Sequence, residues 1–207
     1  MNPAFPNDRA RVDLDLIAEM IEPGSRVLDI GCGDGALLEI LKRDKGCDAR
    51  GLELSQAGVN KSVARGLSVI QGDADTDLIE YPSNAFDYVV LSQTLQATHR
   101  PLEVLDQMLR IGDKAIVSFP NFGHWRMRLQ LLVSGRMPTT KTLSHPWHST
   151  PNIHLCTVRD FEELVASQSY RIEREVIVSA SGQARDVETG TRIANLVADQ
   201  AIFLLSR

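Results

Sequence analysis

Val27-Leu28-Asp29-Ile30-Gly31-Cys32-Gly33-Asp34-Gly35 decides how this chain is read. An apolar run carries an acid, three glycines then alternate with other residues, and Ala36-Leu37-Leu38-Glu39-Ile40-Leu41 follows with helical spacing. That pattern predicts a buried strand, a tight turn and a helix. Glycine adopts positive φ and lets a ligand approach the backbone closely. The first N–H groups of the following helix have no partner inside it and face such a ligand. A small molecule carrying both hydroxyls and charge suits the turn.

The spacing alone leaves two ligands open. Gly31, Gly33 and Ala36 also satisfy the G-x-G-x-x-(G/A) fingerprint of dinucleotide binding. Two features favour S-adenosylmethionine (SAM) or its demethylated form, S-adenosylhomocysteine (SAH). Asp29 lies inside the strand, where a carboxylate repels a pyrophosphate but receives an ammonium. Two more acids, Glu53 and Asp73, wait at the ends of the next two expected strands.

Working outward, Ala49–Leu54 reads as the second strand. Glu53 then falls close to the offset at which an acid meets ribose hydroxyls; the plain alternative is a surface acid at a strand end. Leu67–Gln71 is the third strand, ending in Gly72-Asp73-Ala74, where a carboxylate accepts the exocyclic amine of adenine. Taken alone, Gly-Asp is an ordinary turn. Phe86–Leu91 is the fourth strand, emerging at Ser92 and Gln93 toward the methionine end of the ligand. The candidate cofactor-binding residues are therefore Asp29, Gly31, Cys32, Gly33, Gly35, Glu53, Leu54, Asp73, Ala74, Ser92 and Gln93.

Helices are expected over Arg11–Glu22, Gln56–Ala64 (capped by Ser55), Pro101–Ile111 (Leu102, Leu105, Met108 and Leu109 inward), Trp125–Val133 (whose alternating pattern also suits a strand) and Val158–Ser167 (capped by Thr157). Lys114–Phe119 is the fifth strand. Tyr170–Ala180 and Asn195–Ser206 read as a sixth and a seventh. The polar loop Ser181–Thr191 between them is too short for a parallel crossover, which makes them antiparallel neighbours. Residues 1–10 read as a loose arm, and 120–156, with its long irregular stretch, as a lid or binding segment.

At 207 residues, 43% hydrophobic and 24% charged, the chain fits one domain. No apolar run is long enough for a membrane span, and the N-terminus has no signal-peptide pattern. Three scattered cysteines, Cys32, Cys47 and Cys156, fit a reduced, cytoplasmic chain. The net charge of −5 hides an asymmetry: from Lys114 to Arg159 there is no Asp or Glu but six Lys/Arg, which leaves −11 on the rest. A local anionic contact or a solvated basic face explains this segment better than nucleic-acid binding, which needs a broader basic surface.

Seven strands, five of them in alternating βα units and the last two antiparallel, resemble class I SAM-dependent methyltransferases. The fold class expected is α/β: a single-domain Rossmann-like class I SAM methyltransferase fold with a seven-stranded, mostly parallel sheet and an antiparallel last strand. Acceptor-specific signals are lacking. Ser92-Gln93-Thr94-Leu95 stands where DNA adenine methylation needs Asn-Pro-Pro-Tyr, and no cysteine is placed as a nucleophile. His145, His148, His154 and Cys156 match no common zinc spacing, so no metal is expected. His99, near the fourth strand's active-site end, is a candidate base or a plain loop histidine.

A closer resemblance rests on Gln93-Thr94-Leu95-Gln96-Ala97, His99-Arg100-Pro101, Phe119-Pro120-Asn121-Phe122-Gly123-His124-Trp125-Arg126, Gly135-Arg136-Met137-Pro138 and Thr150-Pro151-Asn152-Ile153-His154-Leu155-Cys156-Thr157. These strings resemble the MetW group of methionine-biosynthesis proteins. The resemblance implies a methyltransferase-like protein of amino-acid biosynthesis acting beside homoserine O-acyltransferase (MetX). It implies substrate or partner roles for His99, Asn121, His124, Trp125, Arg126, Asn152 and His154. Two functions stay open. One is a SAM-binding domain that assists or regulates the acyltransferase. The other is an active methyltransferase whose small anionic acceptor pairs with Arg126, Arg128 and Arg136 under the 120–156 segment.

Overall fold

In the computed structural model, which describes residues 12–139 and 145–207, the quoted strand lies inside a single sheet. The arm expected over 1–10 and part of the 120–156 segment fall outside the described residues. In chain order the elements are α1 (Val12–Met20), β1 (Arg26–Ile30), α2 (Ala36–Lys45), β2 (Asp48–Glu53), α3 (Gln56–Ala64), β3 (Ser68–Gln71), β4 (Phe86–Ser92), α4 (Pro101–Ile111) and β5 (Gly112–Pro120). They continue with α5 (Trp125–Ser134), α6 (Val158–Ser167), β6 (Arg171–Val178), β7 (Ala184–Asp186), α7 (Arg192–Val197) and β8 (Gln200–Ser206). Short 3₁₀ turns at Asp77–Glu80 and Leu95–Ala97 flank β4.

The strand order is β3-β2-β1-β4-β5-β8-β6-β7. Strands β1 to β5 pair in parallel, and β8 slots antiparallel between β5 and β6. A parallel strand with helices on both faces is apolar throughout. Accordingly Leu28 and Ile30 of β1 join a core with α4 and α6, while Val27 points into the opposite core with α1 and α2. Phe119, Phe161 and Phe203 pin α6 to the sheet, with ring centroids 4.7–5.8 Å apart. Burying such a ring contributes roughly 1.5–3 kcal/mol. The reversal of strand order beside β1 leaves a crevice at the carboxyl ends of the strands, where open α/β sheets bind their ligands.

Four features of the fold depart from the expectation raised by the sequence. The sheet has eight strands rather than seven, because Ala184–Asp186 pairs with the end of β6 inside the loop read as structureless. All three residues are exposed, so no alternation marks them; the Arg174–Asp186 ion pair at 2.5 Å joins the two strands instead. The seventh expected strand begins as a helix. Asn121 Nδ2 donates to the carbonyls of Asn195 and Ala198, holding α7 in place, and the strand proper starts only at Gln200. On α4, Leu102 is exposed, and Val104 takes the inward position beside Leu105, Met108 and Leu109. Ser55 precedes α3 without a side-chain cap, whereas Thr157 and Asp160 form a reciprocal capping box at α6.

Candidate functional site

A cavity of about 920 Å³ opens at the carboxyl ends of the strands. Its wall is built from the turn after β1 (Gly31, Gly33), the end of β2 (Glu53, Leu54), the end of β3 (Asp73, Ala74) and the segment after β4 (Gln93 to His99). The loop holding Pro151 and Asn152, the β6–β7 turn and the start of β8 (Asp199, Gln200) complete it.

Backbone geometry sets the first part. Gly31 and Gly33 have φ of 70° and 60°, a region that side-chain-bearing residues rarely enter. At Gly31 a Cβ would lie 2.7 Å from Thr94 Oγ1, whereas at Gly33 it would meet nothing within 4 Å. Thr94 thus closes over one glycine while the other faces open space. The Gly33 N–H donates to Glu53 Oε2 and the Ser55 N–H to Glu53 Oε1, both at 2.8 Å. Each carboxylate oxygen keeps a further lone pair, so Glu53 is fixed in orientation and still able to accept from two hydroxyls. Asp73 is held likewise: its Oδ1 accepts from the Asp75 N–H, and its own N–H donates to Asp77 Oδ2. Asp75 in turn accepts from the N–H groups of His99 and Arg100, tying the loop after β4 to the tip of β3.

Other expected residues stand behind this surface. Asp29 is 3% exposed, paired in the sheet between Gly51 and Val90. Cys32 packs with Leu38 and Leu67, and burial pushes its thiol well above the ordinary range. Gly35 caps α2 against Leu67 and Ser62, and the Ser92 hydroxyl accepts from Ser118. Of the residues suggested for substrate or partner, His99 and Asn152 line the cavity. Asn121 is buried and spends its amide on α7 and on the N–H groups of Gly123 and Val158. His124 caps α5 with Nδ1, which places its proton on Nε2, 3.8 Å from Asp199 Oδ2. Burial lowers its pKa, so the ring is neutral near pH 7. Trp125 and Arg126 are exposed and stacked on each other, and His154 is exposed with its N–H donating to the Gln96 carbonyl.

No Lys or Arg is among the described residues that line the cavity. Arg126, Arg128 and Arg136 lie on or just after α5, outside the lining, and Arg128 donates to the Gly123 carbonyl. Sequence reasoning missed Asp13, Gln96, Asp199 and Gln200. Only the paired glutamines after β4 carried a local signal; the others reach the cavity through long-range packing. Among the described residues, no three His, Cys, Asp or Glu side chains gather as a metal site, and no helix is long and apolar enough to cross a membrane.

A family model described as "Methionine biosynthesis protein MetW" matches residues 11–205. The bifunctional methionine biosynthesis protein MetXA/MetW of Rhodopirellula baltica is 36% identical over the whole chain. The chain spans 34% of that protein and less than half of the other curated relatives it matches. A SAM-dependent methyltransferase of Thermotoga maritima, described as a possible histamine N-methyltransferase, superposes with a TM-score of 0.67 at 15% identity, covering 94% of this chain and 87% of that one. A [4+2]-cyclase superposes at 0.65 and 20% identity over 94% of this chain and 80% of its own. These likenesses carry the fold and not a reaction. With the family match spanning nearly its entire length, the chain belongs to the MetW family of methionine biosynthesis proteins, built on a methyltransferase-like fold.

Proposed function

We propose that this chain is a SAM-binding domain that associates with homoserine O-acyltransferase and supports or tunes it. The observation that carries the partner is the Rhodopirellula relative, in which a MetXA part and a MetW part share one polypeptide. Such a tether keeps two modules at high effective concentration, which suits a pair that works together. The surface supports the same reading. Helix α5 buries only Met127, leaving Leu132 and Val133 at 83% and 78% exposure in a segment without acids. An acyltransferase face that is apolar with an acidic rim would complement it.

On the ligand side, Glu53 would take the ribose hydroxyls, and Asp73 with the Ala74 N–H the adenine. The acidic tip of β1 would favour the ammonium end. Acids with no Lys or Arg among the described lining residues suit a ligand bearing a sulfonium and an ammonium and disfavour a pyrophosphate. SAM lies downstream of methionine, so its occupancy would report supply. If binding SAM changes affinity for the acyltransferase, the acyltransferase must change affinity for SAM by the same factor.

The test is co-purification of the two proteins, with acyltransferase activity measured with and without this chain and with SAM added. Association with a change in activity is expected; no association and no change would end the proposal. The methyltransferase alternative is read by incubating the chain with methyl-labelled SAM and metabolite extract, where a labelled product would favour it.

A further inference from the structure

Beyond the groups at the first three strand tips, the cavity wall holds further polar residues. Gln93 and Gln96 belong to its wall, and each carries a buried amide atom, Nε2 and Oε1 respectively, with no hydrogen-bond partner among the described residues. The Gln96 amide cannot simply be turned over. Its Nε2 donates to the Gln93 carbonyl at 2.7 Å, which fixes the oxygen as the free acceptor. Gln96 is only 6% exposed and is held from behind, because its carbonyl accepts from the N–H groups of Ile153 and His154. Gln93 sits at φ 54°, a strained conformation for a residue with a side chain, while its N–H donates to Ser118.

A buried donor or acceptor left unpaired forfeits its hydration with nothing in return. Strain and unpaired groups together mark a place where a ligand restores what the fold gives up. One free acceptor and one free donor, linked through the Gln96–Gln93 bond, ask for a ligand with the reverse pair. Charge narrows the class. Glu53, Asp73, Asp75 and Asp199 line the same cavity, and no described lining residue is a lysine or arginine. A phosphate or carboxylate would meet like charge here, whereas an ammonium is attracted.

We propose that this end of the cavity binds a second small molecule, a cationic amine with a neighbouring carbonyl or hydroxyl oxygen, its ammonium on Gln96 Oε1 and its oxygen on Gln93 Nε2. The proposal rests on the adenosyl reading for the other half of the cavity. It also sets aside an anionic acceptor paired with Arg126, Arg128 and Arg136.

The test is calorimetry on the full chain with SAH saturating, using three probes of similar size and descending charge: L-methioninamide, L-methionine and N-acetyl-L-methionine. Affinity should fall in that order, by at least about tenfold between the ends. Gln96→Met should weaken L-methioninamide at least about tenfold and SAH by less than about threefold. Equal binding of the anionic probe, or no binding of the amide while SAH binds, overturns the proposal. So does an equal loss of SAH affinity in Gln96→Met, which would assign the amide pair to the adenosyl ligand's own amino-acid end. Absence of heat with SAH itself would strike the adenosyl reading alone, and the charge series on the unliganded chain would still decide the amine site.

Discussion

Gly31 and Gly33 share a backbone conformation but differ in what surrounds them, and the difference separates folding from binding. Alanine at either enters the left-handed region, at roughly 1–2 kcal/mol. At Gly31 the new methyl also strikes Thr94, whose hydroxyl donates to the Ser92 carbonyl. Gly31→Ala should therefore cost more stability than Gly33→Ala, by about 1–2 kcal/mol in denaturant unfolding. Gly33→Ala should cost that backbone strain alone, about 1–2 kcal/mol, yet lose at least about tenfold in SAH affinity, because its methyl projects into open cavity. A second residue governs pH dependence. Glu175 of β6 is buried, its oxygens find no donor in good hydrogen-bond geometry among the described residues, and burial together with the Glu162 carboxylate outweighs nearby Thr189 and raises its pKa to about 8. The folded state then holds a proton that the unfolded state releases near its ordinary pKa of 4.5. Stability from this group is complete below that value and declines as pH rises toward 8. The unfolding free energy from urea titration should thus fall between pH 5 and 8 by an amount on the order of 3 kcal/mol, and Glu175→Gln should flatten the decline.

Helices α5 and α6 have the same length and opposite economies. Helix α6 buries Val158, Phe161 and Val165 and begins with the Thr157–Asp160 box. Thr157→Ala should cost about 1 kcal/mol, seen as a Tm lower by about 2–4 °C. Helix α5 keeps its leucines in solvent. Leu132→Glu with Val133→Glu should leave stability within about 0.5 kcal/mol while abolishing capture of the acyltransferase. A large loss of Tm would mean that the face packs within this chain. The same contrast explains what could be read from the residues alone. The bounds of helix α4 were legible, since Pro101 starts it and apolar positions recur at helical spacing, although its first inward position is Val104 rather than Leu102. The pattern of α5 also suited a strand, because its apolar residues do not answer to a core. Strand β7 and helix α7 were illegible for a different reason: one is held by a cross-strand ion pair and the other by Asn121, far away in sequence.

Across the whole molecule, the crevice follows from strand order, and strand order from apolar strands alternating with amphipathic helices. That is why the tips at Gly31, Glu53 and Asp73 could be located from sequence while Asp13 and Asp199 could not. The first three belong to successive βα units, whereas Asp13 arrives from α1 and Asp199 from the turn before an antiparallel strand inserted beside β5. A cavity assembled from both ends of the chain couples ligand binding to global unfolding, since no part of it survives alone. With SAH at 100 times its Kd, stability should rise by about 2.7 kcal/mol, which for a chain of this length moves Tm by about 5–10 °C. NAD is the decisive control, because it shares the ribose and adenine but replaces the amino-acid end with a pyrophosphate. With no Lys or Arg among the described lining residues, that pyrophosphate would face the acids around the glycine turn uncompensated. NAD at the same concentration should therefore leave Tm unchanged; a shift as large as that with SAH would return the glycine turn to dinucleotide binding.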